Sequence, residues 1–146
     1  MDAPFDWKGG LNLTYKVGPG LRDKLRVHIC VNNELVNKTI YNVLGTIRGR
    51  IEPDRYIIVG NQRDSPSTGA VDSASGTAAF LELARVFSTL VQEGWRPRRS
   101  IVFCSWGAEE FNLLGSTEWV EEMYKILYTR AVAYININML VSLIIC

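Results

Sequence analysis

Four side chains in this sequence have the types and spacing for chemistry: Asp72, the adjacent pair Glu109 and Glu110, and Asn138. Neighbouring carboxylates in a turn can diverge, so that one ligates a metal while the other stays free to move protons. Carboxylates gathered on an apolar edge repel one another, and a divalent cation is the usual way to offset that repulsion. A plainer reading of the same residues also stands. Glu-Glu pairs are common on solvated faces, as Glu121-Glu122 illustrates, and an Asp after a Gly-containing loop can simply cap the helix that follows. The single histidine, His28, cannot build a His-rich metal cage. Cys30, Cys104 and Cys146 include no Cys-x-x-Cys pair and no disulfide framework.

These groups can meet only if the chain brings the carboxyl ends of several strands to one edge. The pattern predicts that arrangement. Ile40 to Ile47 is rich in β-formers, and Glu52-Pro53-Asp54-Arg55 reads as the turn after it. Tyr56 to Gly60 is a continuous apolar run, as in a strand buried on both faces. Phe80, Leu83, Ala84, Phe87, Leu90 and Val91 have helical spacing, with Gly94 as its C-terminal stop and Pro97 beyond. Ser100 to Trp106 reads as a strand, Ser116 to Arg130 as a second helix and Val132 to Ile137 as a last strand. Leu25 to Val31 alternates like a further strand, with Arg26 and His28 facing away from the core. Strand, helix, strand, helix, strand predicts an α/β fold, a mostly parallel open sheet of five strands flanked by helices.

Composition narrows the classes. With 146 residues the chain is the size of one domain, and 47% apolar against 21% charged residues is ordinary for a globular protein. Sixteen basic and fifteen acidic residues leave a net charge of +1, with no electrostatic footprint for nucleic acid or a membrane surface. Met1 to Pro4 lacks the features of a signal peptide, and Ile137 to Cys146 is apolar but too short to span a bilayer. Asn12-Leu13-Thr14 and Asn37-Lys38-Thr39 are glycosylation sequons.

Several blocks resemble the glutamate carboxypeptidase II group, which includes the N-acetylated-alpha-linked acidic dipeptidases, among the co-catalytic zinc peptidases. They are Ile40 to Gly49, Glu52 to Tyr56, Gly94-Trp95-Arg96-Pro97-Arg98-Arg99 and, most specifically, Trp106-Gly107-Ala108-Glu109-Glu110-Phe111 through Trp119. The resemblance runs from about residue 6 to 138. It implies a partial zinc-peptidase core with aminopeptidase-like architecture over 39–138, the end of a protease-associated apical domain over 1–38, and an unrelated apolar tail over 139–146. It places Asp72 where a carboxylate bridges two zinc ions, Glu110 where a ligand binds one zinc, and Glu109 where the general base stands. Glu118 and Glu121 match two ligands of a structural calcium; a solvated acidic helix face accounts for them equally well.

Two departures bear on activity. Gln62 stands where the group has a zinc-ligating histidine, and Asn138 where it has an aspartate. A neutral carboxamide offers zinc a weak carbonyl donor and no charge. The second histidine ligand would fall past Cys146. The resemblance therefore implies a metallopeptidase-like chain whose family hydrolyses peptides, often releasing a C-terminal glutamate, with a site incomplete here. The alternative is a non-catalytic partner of a full-length relative, in a homo- or hetero-oligomer. Relatives are often membrane-anchored with an extracellular catalytic domain.

Overall fold

The computed structural model describes residues 1–18, 26 and 28–140. They fall into two compact units, Met1–Asn37 and Lys38–Cys146. In the first, a short 3-10 turn covers Phe5–Trp7. An isolated bridge pairs Asp2 with Lys16, whose side chains also form an ion pair.

The second unit carries the α/β architecture. Its elements are β1 (Val43–Ile47), β2 (Glu52–Gln62), α1 (Ala74–Gln92), β3 (Arg99–Trp106), α2 (Leu114–Arg130) and β4 (Ala131–Asn136). The four strands lie in the order β1-β3-β2-β4. β2 pairs in parallel with both β3 and β4, while β1 runs antiparallel to β3. Parallel neighbours need helical crossovers, and α1 and α2 supply them.

The apolar run of β2 explains why it is central. Ile58 points to one face, where Val102, Cys104 and Trp106 form a cluster with Tyr56, Trp119 and Leu127. Val59 points to the other, against Phe80 and Phe103, with Leu83, Ala84 and Phe87 of α1 packed beside them. The alternation of one buried strand thus sets one helix on each face. Trp106 and Trp119 meet with tilted rings 5.2 Å apart on the α2 side, and Phe80 meets Phe103 edge-on at 5.5 Å on the α1 side.

α1 ends in a Schellman motif. Gly94 takes φ +94°, its N–H bonds to the Val91 carbonyl at 3.1 Å, and Trp95 N–H reaches back to Leu90 at 2.9 Å.

Three expectations change. The turn expected over Glu52 to Arg55 is a bulge inside β2. Its register passes from Glu52 opposite Arg99 to Tyr56 opposite Ser100. The Ser100 hydroxyl ties the bulge down by donating to the Pro53 carbonyl at 2.6 Å. Of the strand expected over Leu25 to Val31, Leu25 and Val27 lie outside the described residues. Arg26 and His28 to Val31 are exposed and form no strand, because alternation without a paired neighbour does not make one. Among the described residues the sheet accordingly has four strands rather than five. Of the apolar tail, residues 141–146 also lie outside the described residues.

Candidate functional site

β2 lies between β3 and β4, and the chain leaves the carboxyl ends of β2 and β3 toward opposite faces of the sheet. Connections that part in this way open the crevice in which open α/β sheets carry their sites. Gln62 closes β2 and is 5 % exposed. Asn138 follows the end of β4, and Glu109 and Glu110 form a 3-10 turn just after β3. Asp64, two residues beyond β2, spans the crevice. Its Oδ1 accepts the Glu109 N–H at 2.9 Å and its Oδ2 the Glu110 N–H at 3.1 Å. The loop it holds needs holding, since Ala108 (φ +56°), Asn112 (φ +67°) and Leu113 (φ +59°) are all left-handed.

The amides face the carboxylates. Gln62 Nε2 donates to Glu110 Oε1 at 2.8 Å and to the Asp64 carbonyl at 3.1 Å. Asn138 Nδ2 donates to Glu109 Oε1 at 2.8 Å, and its Oδ1 accepts the Gln62 N–H at 3.0 Å. Asn61, fully buried, braces the same strand end. It donates to the Ile137 carbonyl at 2.7 Å and accepts from the Thr77 hydroxyl at 3.0 Å. Ser73, just ahead of α1, donates to the Asp64 carbonyl at 2.9 Å.

The candidate residues do not all gather. Glu109, Glu110, Gln62 and Asn138 are joined by hydrogen bonds. Asp72 is exposed, and its side chain does not cap α1, whose first flanking residue is Ser73. Among the described residues no three His, Cys, Asp or Glu side chains converge closely enough to hold a metal ion. Glu118 and Glu121 are exposed on α2. Glu121 shares with Glu109 the lining of a cavity of about 670 Å³ beside Trp106 and Tyr134. Sequence reasoning missed Asp64. Its work is done on backbone N–H groups, which leave no trace in side-chain types; the signals were its place two residues past a buried strand and within Gln62-Arg63-Asp64-Ser65, the stretch that the resemblance aligns with His-Arg-Asp-Ser.

The donor set does not fit the two zinc ions that the resemblance implies. A metal ligand must offer a lone pair, yet the Gln62 and Asn138 side chains turn N–H groups toward Glu110 and Glu109. The Asn138 oxygen, the one lone-pair donor left on that side chain, is neutral and spends one of its two lone pairs on a peptide N–H.

Comparison with known proteins agrees with this architecture. The chain is 53% identical over 143 residues to "Aminopeptidase NAALADL1" of Mus musculus, and 51% identical over 139 residues to "Glutamate carboxypeptidase 2 homolog" of Caenorhabditis elegans. Each match covers 93% of this chain but only 19% and 18% of the relative. The chain thus spans about a fifth of the length of the curated relatives it matches. The solved structure of BSAP, a zinc aminopeptidase from Bacillus subtilis, superposes with a TM-score of 0.58 at 32% identity, covering 67% of this chain and 24% of that one. The family model described as "Peptidase family M28" matches residues 42–143, and the chain belongs to that family.

Proposed function

We propose that this chain is a hydrolytically silent member of the glutamate carboxypeptidase group of M28 peptidases. In this reading Asp72, Glu109 and Glu110 keep the positions of bridging ligand, general base and zinc ligand, while Gln62 and Asn138 occupy two ligand positions without serving them. The observation that carries it is the pair of amide-to-carboxylate bonds at 2.8 Å, Gln62 to Glu110 and Asn138 to Glu109. A general base contributes roughly a hundredfold to ten-thousandfold and needs an activated water to act on. Here the carboxylate at the base position is engaged by an amide. The role left to such a chain is association with a full-length relative, a reading favoured by the exposure of Tyr124, Tyr128, Val132, Tyr134 and Ile135 along α2 and β4.

Metal content and hydrolysis test this together. The purified chain, dialysed after loading with zinc, retains less than one equivalent by elemental analysis. It cleaves neither acidic dipeptides nor aminoacyl substrates above background. Turnover that a chelator abolishes, zinc restores and Glu109→Gln removes would overturn the proposal, as would two tightly held zinc ions per chain.

A further inference from the structure

The two amides do more than vacate ligand positions. Their orientation is fixed by what they face. A peptide N–H can only donate, so the Asn138 oxygen must face Gln62 N–H, and its NH₂ is thereby turned onto Glu109. Both partners of the Gln62 NH₂, Glu110 Oε1 and the Asp64 carbonyl, can only accept. Asp64 completes the circuit by accepting the backbone N–H of both glutamates.

Three carboxylates thus lie within one hydrogen-bonded group. The guanidinium of Arg63, between Gln62 and Asp64 in the chain, is turned elsewhere, to Ser105 and the Tyr41 carbonyl. Hydrogen bonds to ionised acceptors are about twice as strong as neutral ones. Every such bond here comes from a neutral amide, of side chain or backbone.

We propose that Gln62 and Asn138 form a metal-free clasp. They do by hydrogen bonding what a cation would do by charge, holding Glu109 and Glu110 against the carboxyl ends of β2 and β4. On this account they are a matched replacement and not two independent losses. The inference rests on the proposed silence only in taking no cation to sit among these groups.

Exchanging donor and acceptor tests it. In a chelator, Asn138→Asp sets a carboxylate against Glu109 and lowers the thermal midpoint, by on the order of 5 °C for a chain of this size. Glu109→Gln in the same molecule restores the bond with its polarity reversed, while the Gln62 N–H still finds an acceptor on residue 138. Most of the lost midpoint returns. The other pair behaves differently. Gln62→Glu with Glu110→Gln stays destabilised, because the new carboxylate also faces the Asp64 carbonyl, which cannot donate.

Rescue at 109/138 and none at 62/110 supports the clasp. So does an Asn138→Asp chain that fails to fold while its Glu109→Gln partner variant folds. Additive effects at both pairs, or failure of both variants of the 109/138 pair to fold, overturn it. Zinc-dependent hydrolysis by the native chain would end the proposed silence and, by seating a cation among these groups, the clasp with it. An additive cycle in a chain that stays silent would end the clasp alone.

Discussion

Cys104 is fully buried in β3 on the face toward α2, among Ile58, Val102 and Trp106. Burial pushes its thiol from the ordinary 9.0 up to about 12. Tyr134, whose hydroxyl meets Trp106 Nε1 at 3.0 Å, is raised in the same direction, chiefly by burial. The consequence for stability has a definite sign. Below pH 9 the thiol is protonated in both states and the stability is intact. Between 9 and 12 the folded chain keeps a proton that the unfolded chain loses, so stability falls as pH rises. Melting temperatures measured from pH 8 to 11 should therefore decline, and Cys104→Ala should start lower and decline less steeply. An unchanged slope in Cys104→Ala would place the alkaline sensitivity elsewhere.

Elements meet at Gly60 in β2. A Cβ built there would collide with the Tyr134 hydroxyl and come within 2.8 Å of Trp106 Nε1. The missing side chain is the space in which the Trp106–Tyr134 bond crosses β2, tying β3 to β4. Gly60→Ala should cost about 1–3 kcal/mol as overpacking in a filled core. Tyr134→Phe in the same molecule should recover part of that by removing the clashing oxygen, and urea denaturation of the four-member cycle would reveal strict additivity if this is wrong. At this scale much was legible beforehand. The spacing of Phe80, Leu83, Ala84 and Phe87 marks α1, and the run Tyr56 to Gly60 marks a doubly buried strand, because period and apolar length report burial directly. The mostly parallel sheet was legible too, from strands alternating with helices, but the direction of β1 was not. β1 is antiparallel, and Glu52 to Arg55 continue β2 as a bulge, since composition says that a segment turns but not what it pairs with. The same limit applies at the site. Gln62 and Asn138 stood out as amides where the resemblance implies a histidine and an aspartate, but the direction their N–H groups take, and the part of Asp64, depend on backbone partners that side-chain types do not encode.

For the molecule as a whole, the governing feature is apolar surface left uncovered at the sheet margins. All six residues of β4 are exposed, with Val132 at 48 %, Tyr134 at 52 % and Ile135 at 50 %. β4 pairs only with β2 among the described residues, so one line of its backbone N–H and C=O groups is open to a further strand. Its sequence, Ala131-Val132-Ala133-Tyr134-Ile135-Asn136, contains no charge and no proline, the usual guards of an open edge. At the opposite margin β1 exposes Val43 and Leu44. A net charge of +1 supplies little repulsion between copies. The chain on its own should therefore associate as its concentration rises, which sedimentation velocity would register as a growing weight-average mass. Ile135→Lys places a charge on the open strand without touching the clusters around Ile58 and Val59. It should shift association to markedly higher concentration while leaving the far-ultraviolet circular dichroism unchanged. Since edge pairing runs through backbone groups and a flanking lysine only discourages it, Ile135→Pro, which also disturbs the ladder, should suppress association further at the expense of β4 itself. A native chain that stays monodisperse and monomeric across the same range, with a sharp cooperative melt, would show that the β4 margin is guarded after all.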